Sequence, residues 1–472
     1  MQSLRDRLGI AVENRSSRLK HRASRRKVLI GLGVGGLVIV GLISWRWTVT
    51  MKAPVLTIPN PVMPNPNAYD FYVTAGKGIV NQKLIDDSNR PIPTFEPAVQ
   101  FPGGAGEGPS PDAVRPPPTM PMTLKQRATL VQQNAGVIAQ VHQGFEHPYL
   151  QPPCRTMDAD FHYTKLRDLA RLLELQGRVR SEKGDWNGAA DSYLDVMRMG
   201  EDIPHGATLG GALTGTYCQT VGRRPLWKVV EHLNAPQSHA TLQRLASILE
   251  RHLPFVDTLQ EEKWLGQSLR LEIFRDARMR GSLFLPGDTE GDPLNTLGKS
   301  LSGCVFLVYS KNRIMHDFTH YMDQGAQMAR QPYALHRQEL PEPTDPINKV
   351  LLPIWTRARW EDVHCETQND LLLVTLALHA YRLERGHYPA FLAELAPAYL
   401  QKPPDDQCAA QGTFQYHLKG SDYVLYSVGP DGKDDGGTPI DDPKNASKTH
   451  PQRRYQVRME SVGDIVAGIN VP

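Results

Sequence analysis

Cysteine is scarce in this chain of 472 residues, which has five cysteines and no Cys-x-x-Cys pair. A disulfide framework or a zinc ribbon needs cysteines at close, paired spacing, so neither organises this protein. The sequence also lacks a phosphate-binding loop and a Gly-x-Ser-x-Gly nucleophile motif, and the glycines at 31–36 belong to an apolar run rather than to a nucleotide-binding turn. These absences remove the commonest sequence signatures of an enzyme.

The chain also lacks a strong charge of either sign, since its formal net charge is +3. A value this small argues against a nucleic-acid-binding protein. The positive excess is local: residues 1–27 contain nine Lys/Arg and two acidic residues, which leaves −4 for the rest of the chain. Membrane topology explains a basic tail of this kind better than a polyanionic partner does.

An apolar run follows the basic tail. The 18 residues from Val28 to Trp45 contain no charge, and as a helix they would extend about 27 Å, close to the hydrocarbon thickness of a bilayer. Trp45 and Trp47 flank Arg46 at the far end, as aromatic residues do at a membrane interface. We predict a transmembrane helix over residues 28–47, so the lipid bilayer is the first predicted partner.

The flanking charges predict the orientation of this helix. Seven Lys/Arg lie between Arg15 and Lys27, whereas only Arg46 and Lys52 closely follow the run. The excess of positive charge marks the cytoplasmic side. We predict a single-pass protein of the bacterial inner membrane, with a cytoplasmic N-terminus and about 420 residues outside the cytoplasm. A cleaved signal peptide is the alternative, but its apolar core would be shorter and followed by small residues.

Composition divides the remainder of the chain. Ten prolines lie between Pro91 and Pro121, a composition that rarely folds alone. Apolar residues then recur at three- and four-residue steps, which predicts helices. The predicted fold is mainly α: an N-terminal transmembrane helix, an all-helical central domain and a small C-terminal α+β module. The predicted segments are a basic tail (1–27), the membrane helix (28–47), a Pro/Gly-rich stalk and loop (48–122) with a short helix at 67–85, a helical domain (123–365), and the C-terminal module (366–472).

One helical hairpin in the central domain resembles a tetratricopeptide repeat. The resemblance rests on Gly177, the turn Gly184-Asp185-Trp186, Ala189 and Tyr193, where small residues let two helices approach closely. No second copy occurs at that period, and a solenoid needs several repeats to bury a core. An ordinary helical hairpin is therefore the better interpretation.

The C-terminal module carries the most informative motifs. A long apolar helix ends at Arg385-Gly386, and two strands near 413–418 and 423–428 are joined by the turn Lys419–Asp422. This order resembles the globular part of the major pseudopilin of type II secretion. The matching residues are Tyr388-Pro389, Leu392, Leu395, Tyr423–Ser427, Gly429–Gly432 and Gly463–Val466. The resemblance implies an antiparallel hairpin and a link to secretion or pilus-like assemblies.

The same resemblance implies a calcium site in the acidic loop after the second strand. Asp431 is the best positional match to a family ligand, Asp441 or Asp442 matches the later one, and Asp434 lies between them. Clustered carboxylates and loop carbonyls are suitable calcium ligands, but a solvated acidic turn has the same composition. The membrane run also lacks a prepilin processing site, so we predict that the chain is not a pilin subunit.

A histidine pair offers the one alternative that would make this protein an enzyme. His316 and His320 are spaced one helical turn apart, as in the zinc-protease motif His-Glu-x-x-His, although Asp317 replaces the glutamate. The sequence favours a non-enzymatic envelope scaffold that binds other proteins. A metal-dependent hydrolase using His316 and His320 remains the alternative, and the oligomeric state stays open.

Overall fold

The computed structural model describes residues 38, 40–42, 44–46, 48, 52–88, 122–153, 155–156, 161–276, 305–335, 340–446 and 451–470. These residues are mainly helical, with a small antiparallel sheet near the C-terminus. The mainly helical class that the sequence predicts is therefore confirmed. The chain forms two compact units, one comprising 1–56 and 270–317 and the other 57–269 and 318–472.

The α-helices of the described residues from 52 onward are labelled here in chain order. They are α1 (Ala68–Lys77), α2 (Gln82–Ser88), α3 (Leu124–Gln133), α4 (Ala135–Gly144), α5 (Tyr163–Glu182), α6 (Trp186–Asp202), α7 (Leu209–Val230), α8 (Ala235–Leu249), α9 (Phe255–Arg275), α10 (Val305–Val308), α11 (Lys311–Ala329), α12 (Pro346–Leu351) and α13 (Trp355–Arg385).

In the first unit, aromatic rings pack between helices. Phe274 meets Phe306 edge to face, with ring centroids 5.6 Å apart. The Lys311 ammonium donates to the carbonyl of Phe274 at 2.9 Å, and it also lies 5.0 Å from the ring centroid of Phe306. A cation over an aromatic face adds attraction to this contact.

Most of the predicted membrane helix lies outside the described residues. Those that are described between 38 and 48 are helical, and Val38, Val40, Leu42 and Trp45 are more than half exposed. Within the described part of the chain, no helix has both the length and the apolar composition needed to span a bilayer.

The predicted short helix at 67–85 is two helices. Asn67 begins α1, because its side chain accepts the backbone N–H of Tyr69 at 3.1 Å, as an N-cap does. The helix stops at Gly78, and Asn81 then adopts a φ of +58° before α2. A left-handed residue cannot continue a right-handed helix, which explains the break.

Helices α5 and α6 form the predicted hairpin. Its turn contains Gly184 with a φ of +80°, and Asp185 caps α6 by accepting the N–H of Gly188 at 3.0 Å. A Cβ at Gly177 would clash with the ring of Tyr193. The glycine therefore sets how closely the two helices approach.

The second unit is organised around α13, which packs against α7 and α8. This helix begins at Trp355, so the predicted boundary between residues 365 and 366 falls inside it. Its second half supplies apolar side chains such as Leu372 and Leu376 to the core. It ends at Gly386, which adopts a φ of +79°, the left-handed C-terminal residue that the sequence predicts.

The sheet has the order β1 (Gln415–Lys419), β2 (Asp422–Ser427) and β3 (Ile465–Val466), with both pairs antiparallel. Lys419 is opposite Asp422, and the two-residue turn between them contains Gly420 with a φ of +64°, as tight hairpins require. Leu425 and Ile465 are buried in the same core as α13.

Candidate metal centre

Three acidic side chains follow one face of α13. Asp362, Glu366 and Asp370 are spaced four residues apart, so they lie in a line along the helix. All three are half-buried. Carboxylates at this spacing repel one another, and the repulsion strengthens as water is removed. The stripe is therefore stable only if protons or positive charge from other elements compensate it.

His252 lies against this stripe from another element. It belongs to the turn after α8, where its backbone N–H donates to the carbonyl of Leu249 at 3.0 Å. Its Nε2 lies 3.4 Å from a carboxylate oxygen of Glu366 and 3.9 Å from one of Asp362. One ring nitrogen thus faces two carboxylates of α13.

Glu201 faces the other nitrogen of the same ring. It lies near the end of α6, is 2 % exposed, and places a carboxylate oxygen 3.5 Å from Nδ1 of His252. A carboxylate on one nitrogen orients the ring and makes the other nitrogen a better metal ligand. The arrangement Glu201, His252, then Asp362 and Glu366 is typical of metal-binding histidines.

The pKa values record the excess of negative charge in this cluster. Burial by itself lowers the pKa of His252, but Glu366, Glu201 and Asp362 together raise it to about 10. Burial raises the pKa of Asp362 and of Glu366; Glu366 raises that of Asp362 further, Glu201 raises both, and His252 lowers both. Burial and Glu366 also raise the pKa of Asp370. In the absence of a metal ion, the cluster holds extra protons.

A single ion fits the spacing of these groups. His252, Asp362 and Glu366 each bring one ligand atom within 4.8 Å of the others. Two ligands bound tetrahedrally at about 2.1 Å from an ion lie roughly 3.4 Å apart, so only small side-chain movements are needed. Among the described residues, no other group of three metal-ligating side chains comes this close together.

The predicted zinc pair lies elsewhere, on α11. The side chain of His316 is 76 % exposed, and its Nδ1 lies 3.2 Å from a carboxylate oxygen of Asp317. His320 follows one turn later and is also exposed. Neither belongs to a three-member ligand group within the described residues. The zinc hypothesis for this pair therefore gains no third ligand from the described structure.

The predicted calcium residues are bound locally, each to its own neighbours. Asp431 accepts the N–H of Lys433 at 3.2 Å, and Asp434 accepts the hydroxyl of Tyr426 at 2.9 Å. The remaining contacts pair Asp441 with Arg454 and the Asp442 side chain with the backbone N–H of Lys444. The four aspartates do not form a ligand group in the described chain, and the calcium site stays a prediction.

Comparison with known proteins gives no relative whose site could be compared with this one. No family model, curated protein or solved structure matches the chain. The argument for function therefore depends on the residues themselves.

Sequence reasoning missed this centre, although one part of it was readable. The spacing of Asp362, Glu366 and Asp370 is a signal, because three carboxylates in a line on one helix face repel one another unless other groups compensate them. Nothing in the sequence pairs that stripe with His252 or Glu201, which come from distant positions in the chain. Only the packing of α6, α8 and α13 brings them together.

Proposed function

We propose that this protein is a membrane-tethered, non-enzymatic scaffold of the bacterial envelope whose helical body binds a divalent metal ion. The metal proposal is based on the surroundings of the His252 ring: Glu201 faces one ring nitrogen, and Asp362 and Glu366 face the other. The ligands come from the turn after α8 and from α13, and Glu201 on α6 orients the ring. One ion would join those elements and neutralise their carboxylates, so its role is structural.

The donor set indicates the class of metal. One imidazole nitrogen with carboxylate oxygens suits manganese, iron or zinc, whereas calcium prefers oxygen ligands alone. The centre proposed here therefore differs in chemistry from the calcium site implied by the pseudopilin resemblance. The two can be distinguished by the metal that each requires.

Metal analysis of the full-length protein in detergent tests the centre. We expect about one manganese, iron or zinc ion per chain, and a His252→Ala variant should lose it. Removing the ion with a chelator should lower the thermal unfolding midpoint of the wild type but not of His252→Ala, because a bound ligand stabilises only the folded state.

The matched control is His316→Ala, which removes an exposed histidine from the alternative site. It should keep both the metal and the response to chelator. Metal that disappears in His316→Ala and persists in His252→Ala would contradict this proposal and favour the hydrolase instead. A metal-free wild type purified with every candidate ion present would also contradict it.

The membrane tether is supported by the apolar run and by its flanking charges. The described helical residues in this region expose Val38, Val40 and Leu42 by more than half of their surface. Exposed aliphatic side chains on a helix are unfavourable in water and favourable in lipid. The tail before residue 28 is proposed to remain cytoplasmic, with the bulk of the chain in the periplasm.

A double lysine substitution tests this topology. Val38→Lys together with Val40→Lys should release the protein from the membrane fraction, since each lysine near the centre of a spanning helix costs roughly 2.5–3.5 kcal/mol. The control places the same two lysines at Val55 and Val62, which are 94 % and 93 % exposed, and should leave fractionation unchanged. Release of both variants, or of neither, would count against the tether.

The C-terminal module is proposed to be pseudopilin-like and to contact other envelope proteins. Support comes from the motif residues Tyr388-Pro389, which follow the long helix α13, and Gly463–Val466, which lead into and form β3. Ring packing links part of the motif to the sheet, because Tyr388 meets Tyr423 edge to face at 4.7 Å.

A further inference from the structure

A second polar cluster lies on α7 and α13, and it has the opposite charge. Arg223 and Arg224 are adjacent on α7, and His364 lies on α13. Arg223 is 2 % exposed and donates at 2.9 Å to the side-chain oxygen of Asn369, and also to that of Gln368. These acceptors are neutral amides, so no carboxylate compensates the Arg223 charge through these bonds.

Arg224 has no partner at all within the described structure. It is half-buried, and none of the described hydrogen bonds or ion pairs includes it. Burial and the neighbouring Arg223 charge lower the pKa of Arg224 to about 10, so the guanidinium is still charged at neutral pH. An uncompensated cation in a partly dry position is unfavourable unless an anion joins it.

His364 adds a neutral donor to the cluster. Its Nε2 lies 2.8 Å from the amide nitrogen of Gln368. The oxygen of that amide already accepts from Arg223. The Gln368 amide therefore donates to Nε2, and Nδ1 of His364 must carry the ring proton.

A third donor comes from the next turn of α7. Trp227 lies three residues after Arg224, which places it on an adjoining part of the helix surface. Its indole N–H is buried and has no hydrogen-bond partner. The Nε of Arg223 is also buried and also has no partner. Buried donors without acceptors are rare in folded proteins. Two buried N–H groups on this part of α7 therefore lack an acceptor.

We propose that Arg224, with the neighbouring Arg223, His364 and Trp227, forms a binding site for a small oxyanion. A guanidinium offers two parallel N–H groups that match the oxygens of phosphate or a carboxylate. The partial exposure of Arg224 leaves a route from solvent. This site uses other side chains than the metal centre and takes an ion of opposite charge, so the two proposals are tested by different ligands.

Thermal unfolding of the full-length protein in detergent tests the oxyanion site, with inorganic phosphate and acetate as probes. At matched ionic strength, we expect phosphate or acetate to raise the midpoint of the wild type by a few degrees relative to chloride. Comparing phosphate with acetate tells a tetrahedral oxyanion from a carboxylate. The increase should vanish in Arg224→Gln and persist in Lys228→Gln, which removes an exposed cation one turn further along α7.

The stability of Arg224→Gln in chloride distinguishes an anion-binding role of Arg224 from a structural one. In chloride alone, Arg224→Gln should be at least as stable as the wild type, because the substitution removes an uncompensated charge. A structural arginine would instead lose stability on substitution. The proposal is overturned if neither anion raises the wild-type midpoint, if Arg224→Gln keeps the increase, or if that variant is clearly less stable in chloride.

Discussion

Replacing Asp202 with alanine is expected to destabilise the helical body by about 3–5 kcal/mol, as removal of one partner from a buried ionic cluster does. Asp202 is completely buried at the end of α6. One carboxylate oxygen accepts the hydroxyl of Tyr72 at 2.8 Å, and the other accepts a guanidinium N–H of Arg251 at 2.8 Å. Arg198 lies 3.2 Å away on the same helix. The substitution would leave two arginines without their shared anion.

The position of Asp202 explains why the effect should reach beyond one helix. The carboxylate joins α1, through Tyr72, to α6 and to the turn after α8, through Arg251. Burial raises the pKa of Tyr72 well above its usual value, and Asp202 raises it further, so the phenol keeps its proton and donates. Asp202→Asn keeps the shape and loses the charge, and it should show an intermediate loss.

Urea unfolding followed by circular dichroism measures this effect, and Asp191→Ala is the control. Asp191 lies on the same helix and pairs with Arg244 at 2.8 Å, but its side chain is 50 % exposed. An exposed pair contributes under about 1 kcal/mol. Equal losses in Asp191→Ala and Asp202→Ala would show that burial does not determine the strength of these pairs.

Replacing Asp464 with alanine is expected to destabilise the C-terminal module by about 3 kcal/mol, since three hydrogen bonds to a charged acceptor are lost. The Asp464 carboxylate is fully buried. It accepts the backbone N–H groups of Asp435, Gly437 and Thr438 at 3.3, 2.7 and 3.1 Å. The acidic loop is therefore held by a protein carboxylate at the place where the chain enters β3.

Asp431→Ala is the matched control, and it also tests the calcium prediction. Asp431 accepts one local N–H, that of Lys433, so without calcium its loss should cost less than about 1 kcal/mol. Thermal unfolding with calcium and with chelator separates the two roles. If the loop binds calcium, the ion should raise the midpoint, and Asp431→Ala should remove that increase.

Asp464→Ala should lower the thermal unfolding midpoint with and without calcium, because the groups that this carboxylate binds are the backbone N–H groups of the loop. A midpoint that matches the wild type in both conditions would contradict the role assigned to this carboxylate. A calcium-dependent increase that persists in Asp431→Ala would contradict the ligand predicted from the pseudopilin resemblance.

The local features of the fold were predictable from sequence. Asn67 and Gly386 begin and end helices as their capping preferences indicate. The hairpin β1–β2 turns where Gly420 permits a left-handed residue. Each of these depends on a few neighbouring residues, so the pattern alone carries the information. The bounds shifted by a few residues because helix and strand ends depend on competing local bonds.

The long-range contacts were not predictable from one sequence. The helix before the C-terminal module begins at Trp355, ahead of the apolar pattern, since its first half carries the polar residues Asp362, Cys365 and Glu366. Such residues weaken an amphipathic signal. They are stable in that position because His252, from the turn after α8, and Arg223, from α7, reach them.

The scarcity of cysteines and of catalytic motifs, together with the basic tail and apolar run, determined the class of protein proposed here: a mainly helical chain tethered to a membrane. These are properties of composition and of short-range order. Only the tertiary structure determined which charged side chains lie close together. Packing placed three carboxylates around one imidazole and the Arg223 guanidinium beside neutral amides, because helices that are remote in sequence share one buried surface around α13.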